Sequence, residues 1–218
     1  MQNNIHVSIR GLTGRFPELL AVEDSIRMAF ECLVNCYQQG GKVLICGNGG
    51  SCSDSDHITG ELMKGFELKR PLNKSFREKL LGSGSERGIY LSENLQQGLP
   101  AISLSAHSAL LTAIANDMDF DLVYAQQVVC YGKAGDVIIG ISTSGNSQNV
   151  IDAFITAKAK GMIVIGLTGE SGGRMKPHCD ILINLPGTRT ASVQELMIPV
   201  YHTLCRTLEN YFFGNQDE

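Results

Sequence analysis

Residues 137–147 read Val-Ile-Ile-Gly-Ile-Ser-Thr-Ser-Gly-Asn-Ser, an apolar run that passes directly into hydroxyls, an amide and a glycine. Such a run, bounded by turn residues, fits a strand buried on both faces, and strands of that kind belong to parallel sheets covered by helices. Four similar runs occur: Lys42–Cys46, Ala101–Leu104, Met162–Leu167 and Ile181–Leu185. Amphipathic stretches alternate with them. Phe16–Gln38 carries Leu19, Ile26, Phe30, Leu33 and Tyr37 at helical spacing and stops at Gly40-Gly41. Asn149–Lys160 closes at Gly161, and Ser192–Phe213 is apolar-periodic with Pro199 inside it. The alternation predicts an α/β fold, a five-stranded parallel sheet with helices on both faces. Lys64–Pro100 stands apart as a long connection with a flexible-looking Gly82-Ser83-Gly84-Ser85 inside it.

The 218 residues fit one domain, 1–218, with residues 1–40 as an N-terminal helical segment and 64–100 as an insertion. A net charge of −4 argues against nucleic-acid binding, since no basic excess exists to displace counterions from phosphates. The basic stretch from Lys69-Arg70 to Lys79 is interrupted by acids and reads as a solvated face. Seven scattered cysteines without a CxxC pair indicate a reduced, cytoplasmic chain whose cysteines serve as small hydrophobes. No apolar leader core and no stretch of bilayer-spanning length is visible, so no membrane association is expected.

In open parallel sheets ligands bind beyond the carboxyl ends of the strands. That rule selects Gly47-Asn48-Gly49-Gly50-Ser51 after the first strand and Ser142-Thr143-Ser144-Gly145-Asn146-Ser147 after the third. Glycine-rich turns expose backbone N–H groups, and the helix that follows adds its unpaired amides and positive dipole end. Ser147 is placed to act as an N-cap. Neither loop ends in GK[ST] or has GxGxxG spacing, which disfavours nucleoside triphosphates and dinucleotides. Each loop alone is explained equally by a turn and a cap; two at equivalent strand ends form a cradle for a phosphate or a sugar.

His57 and Glu61 lie at i and i+4 on the helix expected after GNGGS, which puts them on one face. The spacing suits a shared divalent metal, and it also suits a plain surface pair. Gln194 and His202 lie within the apolar helix TASVQELMIPVYHTLC, where polar groups need partners.

CGNGGS, GDVIIGISTSGNSQNVI and KGMIVIGLTG together resemble the sugar isomerase (SIS) domain family, and within it the sedoheptulose 7-phosphate (phosphoheptose) isomerases. The resemblance runs from about Lys42 to Leu208. It implies a flavodoxin-like three-layer sandwich and a homotetramer assembled with the help of the N-terminal helix. It also implies active sites at subunit interfaces and one zinc ion per subunit. Carried over motif by motif, it assigns substrate binding to Asn48, Gly49, Gly50, Ser51, Ser142, Thr143, Ser144 and Ser147. The pair Asn116-Asp117 joins them, as do Glu61 and Gln194. It assigns the metal to His57, Glu61, Gln194 and His202. Glu61 is the implied base and His202 the implied acid of an aldose–ketose isomerisation through an enediol. Eight residues separate Gln194 from His202, a rise of about 12 Å, so both reach one ion only if it lies between them; a kink at Pro199 would help. His107, just after the second strand, is a further candidate near the substrate.

Two departures stand out. The long insertion 64–100 falls where the family runs more directly from the metal helix to the second strand, and the phosphate-contacting arginine common after the glutamate helix is not evident, Gly65-Phe66 standing near that place. Arg70, Arg77, Arg87 and Arg189 are the available substitutes. A non-catalytic SIS protein that binds a sugar phosphate or a protein partner, like the DnaA initiator-associating factor, is the alternative reading.

Overall fold

The computed structural model describes the backbone of residues 2–214 and the side chains of residues 8–214. The chain opens with helix α1 (Gln2–Arg15), a 3-10 turn over Pro17–Val22, and helix α2 (Glu23–Gln38). The periodic stretch 16–38 is therefore interrupted. Phe16 is driven out of the helical region (φ −130°, ψ 77°) by the ring of Pro17, and Pro17, without an N–H, opens a new turn. Strand β1 (Val43–Gly47) leads into helix α3 (Gly50–Met63). Helices α4 (Lys74–Leu81) and α5 (Glu86–Asn94) follow, then strand β2 (Ala101–Ser103) and helices α6 (Ser108–Asp117) and α7 (Ala125–Tyr131). The rest is β3 (Val137–Ser142), α8 (Gln148–Ala159), β4 (Ile163–Thr168), β5 (Ile181–Asn184) and α9 (Thr190–Phe213). All five strands fall within two residues of the runs expected from sequence.

The strands form one parallel sheet in the order β2-β1-β3-β4-β5, the flavodoxin-like arrangement. Strand alternation divides its apolar side chains between two cores. Val43, Ile45, Val137, Ile139, Ile141, Ile165 and Leu167 meet Ile26, Phe30 and Leu33 of α2 and Met197, Val200 and Leu204 of α9. Leu44, Cys46, Ile138 and Val164 meet Val128 of α7 and Val150, Ile151 and Phe154 of α8. Each such burial contributes about 1.5–3 kcal/mol for a large aliphatic or aromatic side chain. Ile9 and Leu12 of α1 join the first core, so this helix packs on its own chain. All seven cysteines are free; Cys36, Cys46 and Cys205 lie in the cores as small hydrophobes.

Two expectations about residues 64–100 are corrected. The segment is a helical hairpin: Asn73 caps α4 by accepting from the Phe76 amide, and Ser85 caps α5 by accepting from the Gly88 amide. Gly82–Ser85 is the turn between them, and an antiparallel bridge of Pro71 with Gln96 closes its root. Arg70, read as part of a solvated basic face, is 0% exposed.

Candidate active site

The chain order of the sheet reverses between β1 and β3, which opens a crevice beyond their carboxyl ends. Both glycine- and hydroxyl-rich loops lie there. Gly49 takes φ +58°, a conformation side chains resist, at the N-cap of α3. Asn48 and Asn149 exchange amide hydrogen bonds of 2.8 and 3.0 Å, tying the first loop to the start of α8. The Tyr124 hydroxyl supports the first loop from below, 2.5 Å from the Gly47 carbonyl oxygen and 3.2 Å from Asn48 Oδ1. Ser142 Oγ and Ser147 Oγ stand 3.0 Å apart across the second loop. Ser147 occupies the N-cap position of α8, yet its side chain caps nothing, contrary to the sequence reading. Neither α3 nor α8 starts with a side-chain cap, so both helix ends present amides to a ligand. Thr143 is half-buried, Ser144 exposed and Ser51 buried.

About two turns along α3, three chemistry-bearing side chains converge. His57 Nε2 lies 3.2 Å from Glu61 Oε1 and 3.5 Å from His202 Nε2. Glu61 Oε2 is buried without a hydrogen-bond partner, an arrangement that is costly unless something further binds there. Behind them Tyr201 Oη lies 3.0 Å from His57 Nδ1 and donates to Asp54 Oδ1 at 3.3 Å. Burial, reinforced by the neighbouring His57, holds His202 below the usual imidazole range. Burial likewise raises Asp54 above the usual carboxylate value. Sequence reasoning missed Asp54 and Tyr201; the signal was the i, i+3 spacing of Asp54 and His57 and the Tyr-His dipeptide at 201–202.

A zinc ion bound by two imidazoles at about 2.0–2.1 Å sets them roughly 3.3 Å apart. The two measured separations, the donor types and the unpaired Oε2 fit such an ion. Among the described residues no group of three or more His, Cys, Asp or Glu side chains already closes into a metal-holding set, so the fit rests on those separations and that oxygen. Gln194 is elsewhere: a Cβ on Gly50 would meet its Nε2 at 2.5 Å. Matching Gly50 with Gln194 and His57 with His202 shows that α3 and α9 run side by side in the same direction, α9 continuing as one helix past Pro199. Gln194 thus borders the first loop, nearer the phosphate cradle than the trio.

Asn116 and Asp117 are exposed at the end of α6, where the Asn116 amide donates to Asp117 at 2.8 Å. His107 is exposed beside β2, in an open groove of about 400 Å³ shared with Asp56, Thr59 and Met63. Of the substitute arginines, Arg70 is consumed by Glu209 at 2.8 Å. Arg87 stacks on Tyr90 within the hairpin. Arg189 stands exposed at the N-cap of α9.

The profile of the SIS domain family matches residues 18–79 and 87–169, skipping between its two segments the tip of the α4–α5 hairpin, residues 80–86. A phosphoheptose isomerase of Burkholderia pseudomallei is 38% identical over 192 residues, 88% of this chain and 84% of that protein. The chain belongs to the SIS domain family, in its phosphoheptose isomerase branch. Another member of that branch, from Maridesulfovibrio salexigens, is 41% identical over 174 residues, 80% of this chain and 72% of its own length. The solved phosphoheptose isomerase of Neisseria gonorrhoeae superposes with a TM-score of 0.72 at 33% identity, covering 96% of this chain and 98% of that one. The SIS fold therefore accounts for the sheet order and for the two loops at its switch point.

Proposed function

We propose that this protein is an aldose–ketose isomerase of a phosphorylated seven-carbon sugar, converting sedoheptulose 7-phosphate into the corresponding glycero-manno-heptose 7-phosphate. The observation that carries the reading is the convergence of His57, Glu61 and His202 with an unpaired carboxylate oxygen, beside a two-loop anion cradle. Seven residues of α3 separate Gly50 from His57, about 10 Å along the helix. That distance calls for a ligand whose phosphate and carbonyl stand far apart on one chain.

In the reaction the cradle loops hold the phosphate and the carbonyl end reaches the trio. Glu61 removes the proton from the hydroxyl-bearing carbon beside the carbonyl; the C–H electron pair becomes the C=C bond and the carbonyl pair moves to its oxygen, giving the enediolate. His202 protonates the former carbonyl carbon while the proton of the neighbouring hydroxyl passes to the new alkoxide oxygen, which completes the exchange of ketone and aldehyde, and both side chains regain their starting protonation from solvent. Glutamate and histidine suit this work because side chains of these types can both accept and return a proton in the range where enzymes operate. His57, Glu61 and His202 are the residues that would hold zinc, whereas Gln194 stands against Gly50 at the first loop. When bound, zinc supplies Lewis-acid polarisation of the substrate carbonyl. Tyr201 and Asp54 fix the orientation of the His57 ring, as hydrogen-bonded partners behind metal-binding histidines do.

The assembly belongs to the same proposal. Asn116 and Asp117 are exposed and followed by the exposed apolar Met118 and Phe120, which supports a homotetramer in which a second copy covers this surface. Among the described residues no helix is long and apolar enough to cross a membrane; with the reduced cysteines, this supports a cytoplasmic location.

The test is turnover of sedoheptulose 7-phosphate by the purified protein, with its zinc content measured. Wild type should convert the sugar, and Glu61→Gln should lower kcat by about 10²–10⁴-fold. Absence of both zinc and turnover, with Glu61→Gln indistinguishable from wild type, would leave the non-catalytic alternative.

A further inference from the structure

Arg70 and Glu209 form an ion pair with both side chains 0% exposed, outside the loops and the trio. Each of the three guanidinium nitrogens of Arg70 donates to a fixed partner. Nε donates to Glu209 Oε1 at 2.8 Å, Nη1 to the Leu62 carbonyl at 2.7 Å and Nη2 to the Glu61 carbonyl at 2.9 Å. Glu209 in turn accepts from the amides of Phe66, Glu67 and Leu68 at 2.7–3.2 Å. The pair therefore caps the last turn of α3 at the residue carrying the proposed base. It also joins that turn to α9, two turns beyond His202. Above it, the Arg70 carbonyl accepts from the Gln97 amide, which seats the root of the hairpin on the same point.

A lysine in place of Arg70 keeps the charge but cannot reach three acceptors in one plane. The geometry is that of a spacer more than of a simple glue. α3 and α9 each carry one member of the proton-transferring pair, and beside the apolar packing of Ile58 and Leu62 with Leu204 and Leu208 the Arg70–Glu209 contact is a polar tie between the two helices.

We infer that Arg70 and Glu209 are positioning residues of the reaction, acting through Glu61 by setting its backbone and its distance from His202. The inference rests on the isomerase reading for its kinetic consequence, not for its structural one. Neither residue touches substrate.

The experiment compares wild type with Arg70→Lys and Glu209→Gln, well below the melting temperature of each. Both variants should lower kcat on sedoheptulose 7-phosphate about tenfold or more, with KM changed less than twofold. In the metal-free protein, the imidazole NMR resonances of His57 and His202 should shift in both. Unchanged kcat and unchanged imidazole resonances, in variants whose melting temperature has fallen, would overturn the inference and leave the pair a stabilising contact only. If Arg70→Lys fails to fold, Glu209→Gln decides, because its single amide oxygen still accepts either from Phe66 and Arg70 or from Glu67 and Leu68, so one of the two sets of contacts survives. If wild type shows no turnover, the isomerase reading fails, and the imidazole resonances alone decide whether the pair positions the site.

Discussion

Asn48 and Asn149, 101 residues apart in sequence, face each other across the β1–β3 crevice with both amide groups satisfied by the other. This contact makes one cradle of two loops. Asn149→Ala should leave Asn48 partly unpaired, costing about 1–3 kcal/mol. The same change should raise KM for the sugar phosphate about tenfold with a smaller effect on kcat. Denaturant unfolding and steady-state kinetics together check it; an unchanged KM would separate the cradle from phosphate binding.

His202→Gln keeps a polar group of similar reach but removes the titratable ring. The expected result is a loss of about 10²-fold or more in kcat, with sugar-phosphate binding retained. Exchange of substrate carbon-bound hydrogen with deuterated water should slow in parallel, as read by NMR. Loss of binding without loss of turnover per bound molecule would place His202 in recognition instead.

Tyr201→Phe deletes the hydroxyl 3.0 Å from His57 Nδ1 while keeping the ring that packs in the core. Zinc affinity of the metal-free protein, measured by competition with a chelator, should fall about 10–100-fold. Prior treatment of wild type with a strong chelator should abolish turnover, and added zinc should restore it. Identical zinc affinity in the variant would remove Tyr201 from the metal site.

Glu209 supplies a pH dependence whose sign is fixed. Burial alone would raise its pKa, but the Phe66 and Glu67 amides and the Arg70 guanidinium outweigh burial and hold it below the ordinary 4.5. The folded state then binds fewer protons than the unfolded state through that window. Its contribution is fully present above 4.5 and is lost as pH falls through the lower folded value. Melting temperature scanned from about pH 6 to about pH 3 should drop more steeply for wild type than for Glu209→Gln. At neutral pH the variant should be less stable by about 3–5 kcal/mol, since it leaves Arg70 buried without a counter-charge. Parallel curves would show that another carboxylate governs acid unfolding.

Every strand was legible from local sequence, because a strand buried on both faces must be apolar along its length and the turns around it must not be. The two loops were legible for the same reason, as polar segments placed by the sheet at its carboxyl edge. The hairpin of residues 74–94 was not. No side chain of α4 is buried, its Phe76, Leu80 and Leu81 make too short an apolar stripe to set it apart, and the caps of α4 and α5, Asn73 and Ser85, resemble ordinary turn residues. Arg70 misled for a different reason. Charge pattern reports average exposure, whereas Arg70 is buried because Glu209, 139 residues away, neutralises it.

By itself, then, the sequence determined the α/β class, the strand positions, the two cradle loops and the helical placement of His57 with Glu61, since each depends on residues close together in the chain. Tertiary structure alone decided what meets what. It brought His202 to His57, set Gln194 against Gly50, withdrew Ser147 from capping, and joined Arg70 to Glu209. Those outcomes depend on the parallel course of α3 and α9 and on the crevice between β1 and β3, relations between distant segments that no local pattern encodes.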